Sequence, residues 1–429
     1  QFDIYQGLFV AGRLPLGNDN PLQRLKLKLV EQQIAAALSL AESQKSAVAD
    51  DAPDVEKILD LARWAPSGDN SQPWRFEILD ADTLRLHLRA QSDEDIYDYN
   101  DGQPTLLSGG MLLETLRIAA SAHGRMMQWS YEEGSGLEHS LRVDLPRSPG
   151  TAEDPLLASV KTRSVDRGAY SRQRLSDADK AALTEALGED LRIEWHETLR
   201  ERLSLARLNA RATDIRLRIP EAFKVHRKII DWARDLSPTG IPSKAVGLDA
   251  MTLKIMRWGF GDWRRLERMN RMPGATGPAI LQMDILPALN SGALFTIRAA
   301  TPPAPGGYDP ETLLRFGAAL QRFWLVAEQR GLGLQPALAT AIFAHYGRHG
   351  IDFTGDEAIR ARAEGLAEEL ERRGLGGDDL VFLGRIGRAR RRTAYPRSVR
   401  RPLKELMVKP AAEVEAASDD SAHDSRRSG

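Results

Sequence analysis

The chain has no cysteine. That excludes disulfides, thiolate metal sites, iron–sulfur clusters and a cysteine nucleophile, and it suits a reducing, cytoplasmic setting. No apolar run approaches the roughly 20 residues that span a bilayer. The opening QFDIYQGLFV lacks the basic start and cleavage pattern of a signal peptide. The formal net charge is only -1, so neither nucleic acid nor an anionic membrane is an expected partner. Walker A, GxSxG and Rossmann GxGxxG patterns are absent, and RGLGLQ does not supply the last of these. His345 and His349 stand four apart, as on one helix face, but no HExxH pattern and no third ligand accompany them and Gly347 interrupts them, so no metal is expected.

What is present describes a globular protein. Hydrophobic residues make up 42% and charged residues 28% of 429 positions, enough for a large core and two or three domains. Helical spacing of apolar residues predicts helices over 21–45, 106–123, 311–329 and 356–373. Asp54 is the expected cap of a helix running to Ala65. Alternation predicts strands over 75–79, 83–88, 137–144 and 192–195, and core strands over 293–299 and 380–386. Ser176 with Asp179 has the form of a capping box opening a helix over 177–187. PRSPGTAEDP, rich in Pro, Gly and small polar residues, is the expected boundary between two halves. The organisation predicted is an N-terminal helical extension and linker (1–52), a first half (53–150), a second half (151–407) with a helical insertion at about 197–275, and a disordered tail (408–429).

The densest chemistry lies in ARWAPSGDNSQPWRF, residues 62–76. A helix ends there, a polar turn follows through Pro66, Ser67, Gly68, Asn70 and Gln72, and a strand opens at Trp74. Such a turn offers hydroxyl and amide groups to a flat heteroaromatic ligand, with Trp74 as apolar anchor; an ordinary helix stop is the alternative. A second cluster, KTRSVDRGAY, holds Arg163, Ser164 and Arg167, and a third, RSVRRP, holds Arg397, Arg400 and Arg401. Arginine binds phosphate through a planar fork of donors. Eight arginines between 385 and 401 cannot all reach one phosphate, so most of them are read as solvated or paired with acids.

The run APSGDNSQPW resembles the signature of the FMN-dependent nitroreductase family, and the Arg-Ser segment resembles that family's phosphate clamp. The turn sits in the first half and the clamp about a hundred residues later. This complementary loss resembles the fused-dimer, Acg-like branch, in which a pseudo-dimer holds FMN beneath a lid. Gly110, Leu113, Ala120 and Gly124 recur at identical spacing as Gly317, Leu320, Ala327 and Gly331, in keeping with duplication. The resemblance implies an α+β nitroreductase-like fold with central sheets packed by helices, and an insertion acting as a lid. It implies FMN bound by Arg163, Ser164, Arg167, Pro66, Ser67, Gly68, Asn70, Gln72, Gln335, Pro336, Ala337, Leu338, Arg400 and Arg401. Main chain at Gly331–Leu338 would approach the flavin near N5, though a helix cap followed by a strand also explains those residues. NAD(P)H would be the electron donor and a small organic molecule the acceptor, in a ping-pong reaction that needs no protein acid or base. The first residue is Gln, and the opening stretch is read as the tail of an upstream adenylating ThiF-like domain, found fused to some family members.

Other readings of the same residues stay open. The chain could sequester FMN without turnover if the insertion seals the site, or form the tailoring part of a larger biosynthetic enzyme. The tryptophans of the insertion (Trp232, Trp258, Trp263) fit core residues of a subdomain as well as a lid.

Overall fold

The computed structural model describes residues 21–408 apart from 47, 93–94 and 390–395. Residues 1–20, the tail over 409–429, and Arg390, Arg391, Arg392 and Tyr395 lie outside the described residues.

Helix α1 (Pro21–Ser43) leads to α2 (Asp54–Ala62). The end of α1 is fixed to the body: Leu40 is buried beside Trp64, and Gln44 and Lys161 exchange hydrogen bonds of 2.9 and 2.8 Å. Pro53, not Asp54, occupies the cap position of α2; the Asp54 carboxylate instead meets Arg125 at 3.2 Å. Strands β1 (Trp74–Ile78) and β2 (Thr83–Arg89) follow, then the long helix α3 (Tyr99–Ser121) and the hairpin β3 (Gln128–Ser135) and β4 (Glu138–Asp144). These four strands form an antiparallel sheet in the order β1-β2-β4-β3.

The chain continues to α4 (Asp177–Leu187). Ser176 accepts from Asp179 N at 3.1 Å, but the Asp179 carboxylate turns to Arg330 and Arg388 and leaves the box half made. Next come β5 (Leu191–His196), α5 (Leu199–Leu217), α6 (Pro220–Ile229), α7 (Ala250–Gly259), α8 (Trp263–Arg271) and β6 (Ala293–Ala299). Then follow α9 (Pro310–Gln329), β7 (Leu332–Pro336), α10 (Ala339–Arg348), α11 (Glu357–Arg372) and β8 (Leu380–Arg388). The second sheet is also antiparallel, in the order β5-β6-β8-β7. Each sheet therefore runs first-second-fourth-third, with a long helix between its second and third strands.

Those two long helices, α3 and α9, pack against each other through glycine. A Cβ on Gly110 would fall 2.8 Å from Gly317 Cα and collide with the Leu314 carbonyl. A Cβ on Gly317 would fall 2.9 Å from Gly110 Cα and collide with the Leu107 carbonyl. Only hydrogen at both positions permits this approach. The contacts are reciprocal, and they use the glycine pair that recurs at matching places in the two halves. The main core lies between and around these helices and both sheets.

The insertion divides differently from the expected 197–275 lid. Helix α5 joins α10 and α11 in a second core through Leu205, Leu208, Ala212 and Ile215, so it belongs to the body. The separate part begins at α6, with a small core of Phe223, Phe260 and Leu266 flanked by Trp232 and Trp263; Trp258 is exposed. Helical turns continue to Leu289 before β6 begins.

Candidate functional site

The turn after α2 is tightly wound. Asp69, Asn70 and Gln72 all have positive φ, at 49, 57 and 53°, a region that side chains enter uncommonly and that clusters at functional sites. Ser67 Oγ accepts from Gln72 N at 2.9 Å and holds the turn closed. Pro66 is buried, Ser67 is half-buried, and the space around Gly68 is open.

The amides of the turn do not point outward as expected. Asn70 Nδ2 donates to Val399 O (3.1 Å), Pro238 O (3.3 Å) and Gly240 O (3.4 Å). Gln72 Nε2 donates to Pro238 O at 2.8 Å, and Gln72 Oε1 accepts from Arg401 N at 2.9 Å. Both side chains thus join the turn to the strap 236–240 and to the C-terminal segment. Trp74 is fully buried in the main core, so it anchors the strand rather than a ligand.

Beside the turn lies a buried group of guanidiniums. Arg163 Nη2 donates to Trp64 O at 3.3 Å, and its guanidinium stands 4.7 Å from the Trp324 ring centroid. Arg397 Nη2 donates to Arg163 O at 2.9 Å. Arg400 Nε donates to Ala65 O at 2.9 Å and its Nη1 to Val399 O at 3.0 Å. All three are buried. Burial, and then the charge of Arg397, push Arg163 down to about 9. Burial pushes Arg397 down to about 10, and Arg400 is depressed by burial and by Arg163, Arg397 and Arg63. Glu328 opposes the shifts at Arg163 and Arg397. Arg163 Nε and Arg401 Nε are buried donors without an acceptor among the described residues. Clustered buried cations with idle donors fit a multivalent anion such as a phosphate.

The expected residues 163–167 and 335–338 lie side by side. Val165 bridges Leu334, and Asp166 N donates to Leu334 O at 3.0 Å. Arg385 ties the two together: Nε donates to Gln335 Oε1 at 2.6 Å, Nη2 donates to Gly168 O at 2.9 Å, and the guanidinium lies over Tyr170. Gln335, Pro336, Ala337 and Leu338 are half-buried. Ala337 N is taken by Leu383 O at 2.9 Å and Pro336 has no N–H. Leu338 N makes no main-chain hydrogen bond among the described residues.

Arg167 separates from Arg163. Its Nη1 donates to Ala245 O at 3.2 Å, and it is near Asp69. Burial raises the Asp69 carboxyl, while Arg167 and then Arg216 oppose the rise. Ser164 is half-buried. Arg385, Tyr170, Trp324 and Arg216 carry no site role in the sequence reading, and Arg397 stands there as a member of RSVRRP without being assigned to the flavin.

Residues 46–109 match the model of the Nitroreductase family. The chain is 27% identical over 354 residues to a Mycobacterium tuberculosis protein named "Uncharacterized protein MT1398", a stretch covering 80% of this chain and 45% of that protein. It is 25% identical over 290 residues to the M. tuberculosis protein named "Putative NAD(P)H nitroreductase Rv3131", covering 67% of this chain and 76% of the relative. The chain thus spans less than half the length of the first relative. The matched stretch runs over α2, the turn, β1, β2 and the first turns of α3.

Proposed function

We propose that the chain is an FMN-dependent oxidoreductase built as a fused pseudo-dimer, with one flavin held between its halves. The observation that carries this reading is the buried trio Arg163, Arg397 and Arg400, whose three charges exceed the opposing charge of Glu328 and which lies against the family's turn. A buried charge left unbalanced is strongly destabilising, and a phosphate dianion offsets three such charges through charge-assisted hydrogen bonds. The matching sheet orders and the reciprocal Gly110–Gly317 contact support the duplication.

In this reading Arg163, Arg397 and Arg400 hold the phosphate, with Arg401 Nε as a further donor. Gln335, oriented by Arg385, and the free Leu338 N–H face the ring. Ser67, Gly68 and Pro66 form the opposite wall, and Asn70 and Gln72 fix that wall to the strap. FMN bound there supplies two-electron chemistry between NAD(P)H and a small organic acceptor, in ping-pong order. No residue of the chain needs to act as acid or base. The test is anaerobic mixing of the flavin-loaded protein with NADH or NADPH: loss of flavin absorbance within seconds supports turnover.

One observation favours a second reading. The strap 236–240 is fastened across the turn by Asn70, Gln72 and Ser398, the last at 2.7 Å to Gly240 O. A strap that stays shut would hold FMN without admitting a nicotinamide, and the colour would then persist on mixing. The greater length of the first relative supports a role as the flavin-dependent part of a larger protein, with an adenylating domain as candidate partner.

A further inference from the structure

Helix α10 ends in two histidines one turn apart, His345 and His349. The structure brings a third ligand to them: Asp378, in the loop between α11 and β8. One ligating atom from each lies within 4.8 Å of the other two. His349 Nε2 is 2.9 Å from Asp378 Oδ1, and His345 Nδ1 is 3.8 Å from the same oxygen. A tetrahedral ion with ligands at about 2 Å has ligand–ligand edges of roughly 3.3 Å. These two separations bracket that value, and the third pair of atoms lies within 4.8 Å.

Arg348 Nη1 meets the same Asp378 Oδ1 at 3.1 Å and its Nε meets Glu371 at 2.9 Å, so its charge is shared with a second acid, and an ion at Oδ1 would displace the Arg348 contact. The cluster opens on a groove of about 550 Å³ lined also by Tyr99, Asp101, Gln103 and Tyr308, which gives water a route to a fourth position.

We propose that His345, His349 and Asp378 bind one divalent ion of the zinc class, with a water on the groove side as fourth ligand. Neutral imidazoles and a carboxylate favour zinc, nickel or cobalt over calcium or magnesium. The ion would join the end of α10 to the loop before β8. Helix α10 starts directly after Gln335–Leu338, so the site steadies an element that borders the proposed flavin wall, but the proposal does not rest on flavin binding.

The test uses the full chain free of any polyhistidine tag and stripped with a chelator. Zinc chloride is titrated by calorimetry, and cobalt by its visible absorption. One saturable equivalent is expected, weakened tenfold or more in His345→Ala, His349→Ala and Asp378→Asn and unchanged in His87→Ala, which removes an imidazole paired with Glu77 on another sheet. His349 and Asp378 are exposed, so their variants create no core cavity, and thermal unfolding confirms that they fold. No saturable zinc binding in the wild type, or equal affinity in His349→Ala, overturns the proposal.

Discussion

Arg163 places a positive charge where solvent cannot stabilise it, next to two more of its kind. Its folded value, about 9, lies below the ordinary 12.5. Between those values the unfolded chain binds more protons, so this group makes stability rise with pH there; at pH 7 its full penalty is present. Removing the charge should therefore stabilise the flavin-free protein while harming ligand binding. Arg163→Met is expected to raise the melting temperature of flavin-free protein and weaken FMN by at least about tenfold, or ~1.4 kcal/mol. Inorganic phosphate should raise the melting temperature of the wild type more than chloride at equal ionic strength, and should lose that advantage in the variant. A variant that melts lower and binds FMN as before would contradict the assignment.

His226 gives a second residue-level expectation. Its Nε2 meets Tyr97 Oη at 2.9 Å, and burial, then Arg216, hold it at about 3. An unfolded histidine titrates near 6.5. The unfolded chain thus binds more protons between those values, and stability is lost as pH falls from 6.5 toward 3. Urea midpoints measured from pH 7 to 4 should fall less steeply in His226→Gln than in the wild type. Parallel curves would show that the contact between α6 and Tyr97 contributes nothing to acid sensitivity.

At the scale of elements, the crossing of α3 and α9 sets how close the halves approach. Gly110→Ala forces a methyl against the Leu314 carbonyl and must separate the helices. A loss of about 1–3 kcal/mol is expected from such overpacking, read by chemical denaturation, with Gly317→Ala matching it because the contact is reciprocal. An unchanged midpoint in both would mean that the helices do not meet there. Two elements were legible in the sequence: α4 spans 177–187, as the Ser176 cap predicts, and β6 spans 293–299, as its apolar run predicts. Strand β3 escaped because only Trp129 and Tyr131 alternate toward the core, both half-buried, and the run Glu132-Glu133-Gly134 that follows breaks the pattern. Helix α10 escaped because Gly347 reads as a breaker; in the structure a Cβ there would strike Ala363 of α11, so the glycine serves helix packing. Asp378 lies 29 residues beyond His349, too far for any local motif to reveal. The turn and both arginine segments were visible as residue types, but the sequence could not show that Asn70 and Gln72 would bind main chain, or which of many arginines would be buried.

For the whole molecule, the central claim is that two sheets of equal order create one flavin site, because the turn survives in one half and the clamp in the other. The candidate site follows from that asymmetry. Arg163 and Arg397 come from the second half, and Trp64 and Ala65, whose carbonyls receive Arg163 and Arg400, come from the first. An ordinary dimer of such halves would hold two flavins. The decisive measurement is the molar ratio of flavin to protein after saturation with FMN and removal of the excess, taken from the absorption spectrum with mass spectrometry of the released cofactor. The account expects one FMN per 429-residue chain. A ratio of two, or no retained flavin, would contradict it.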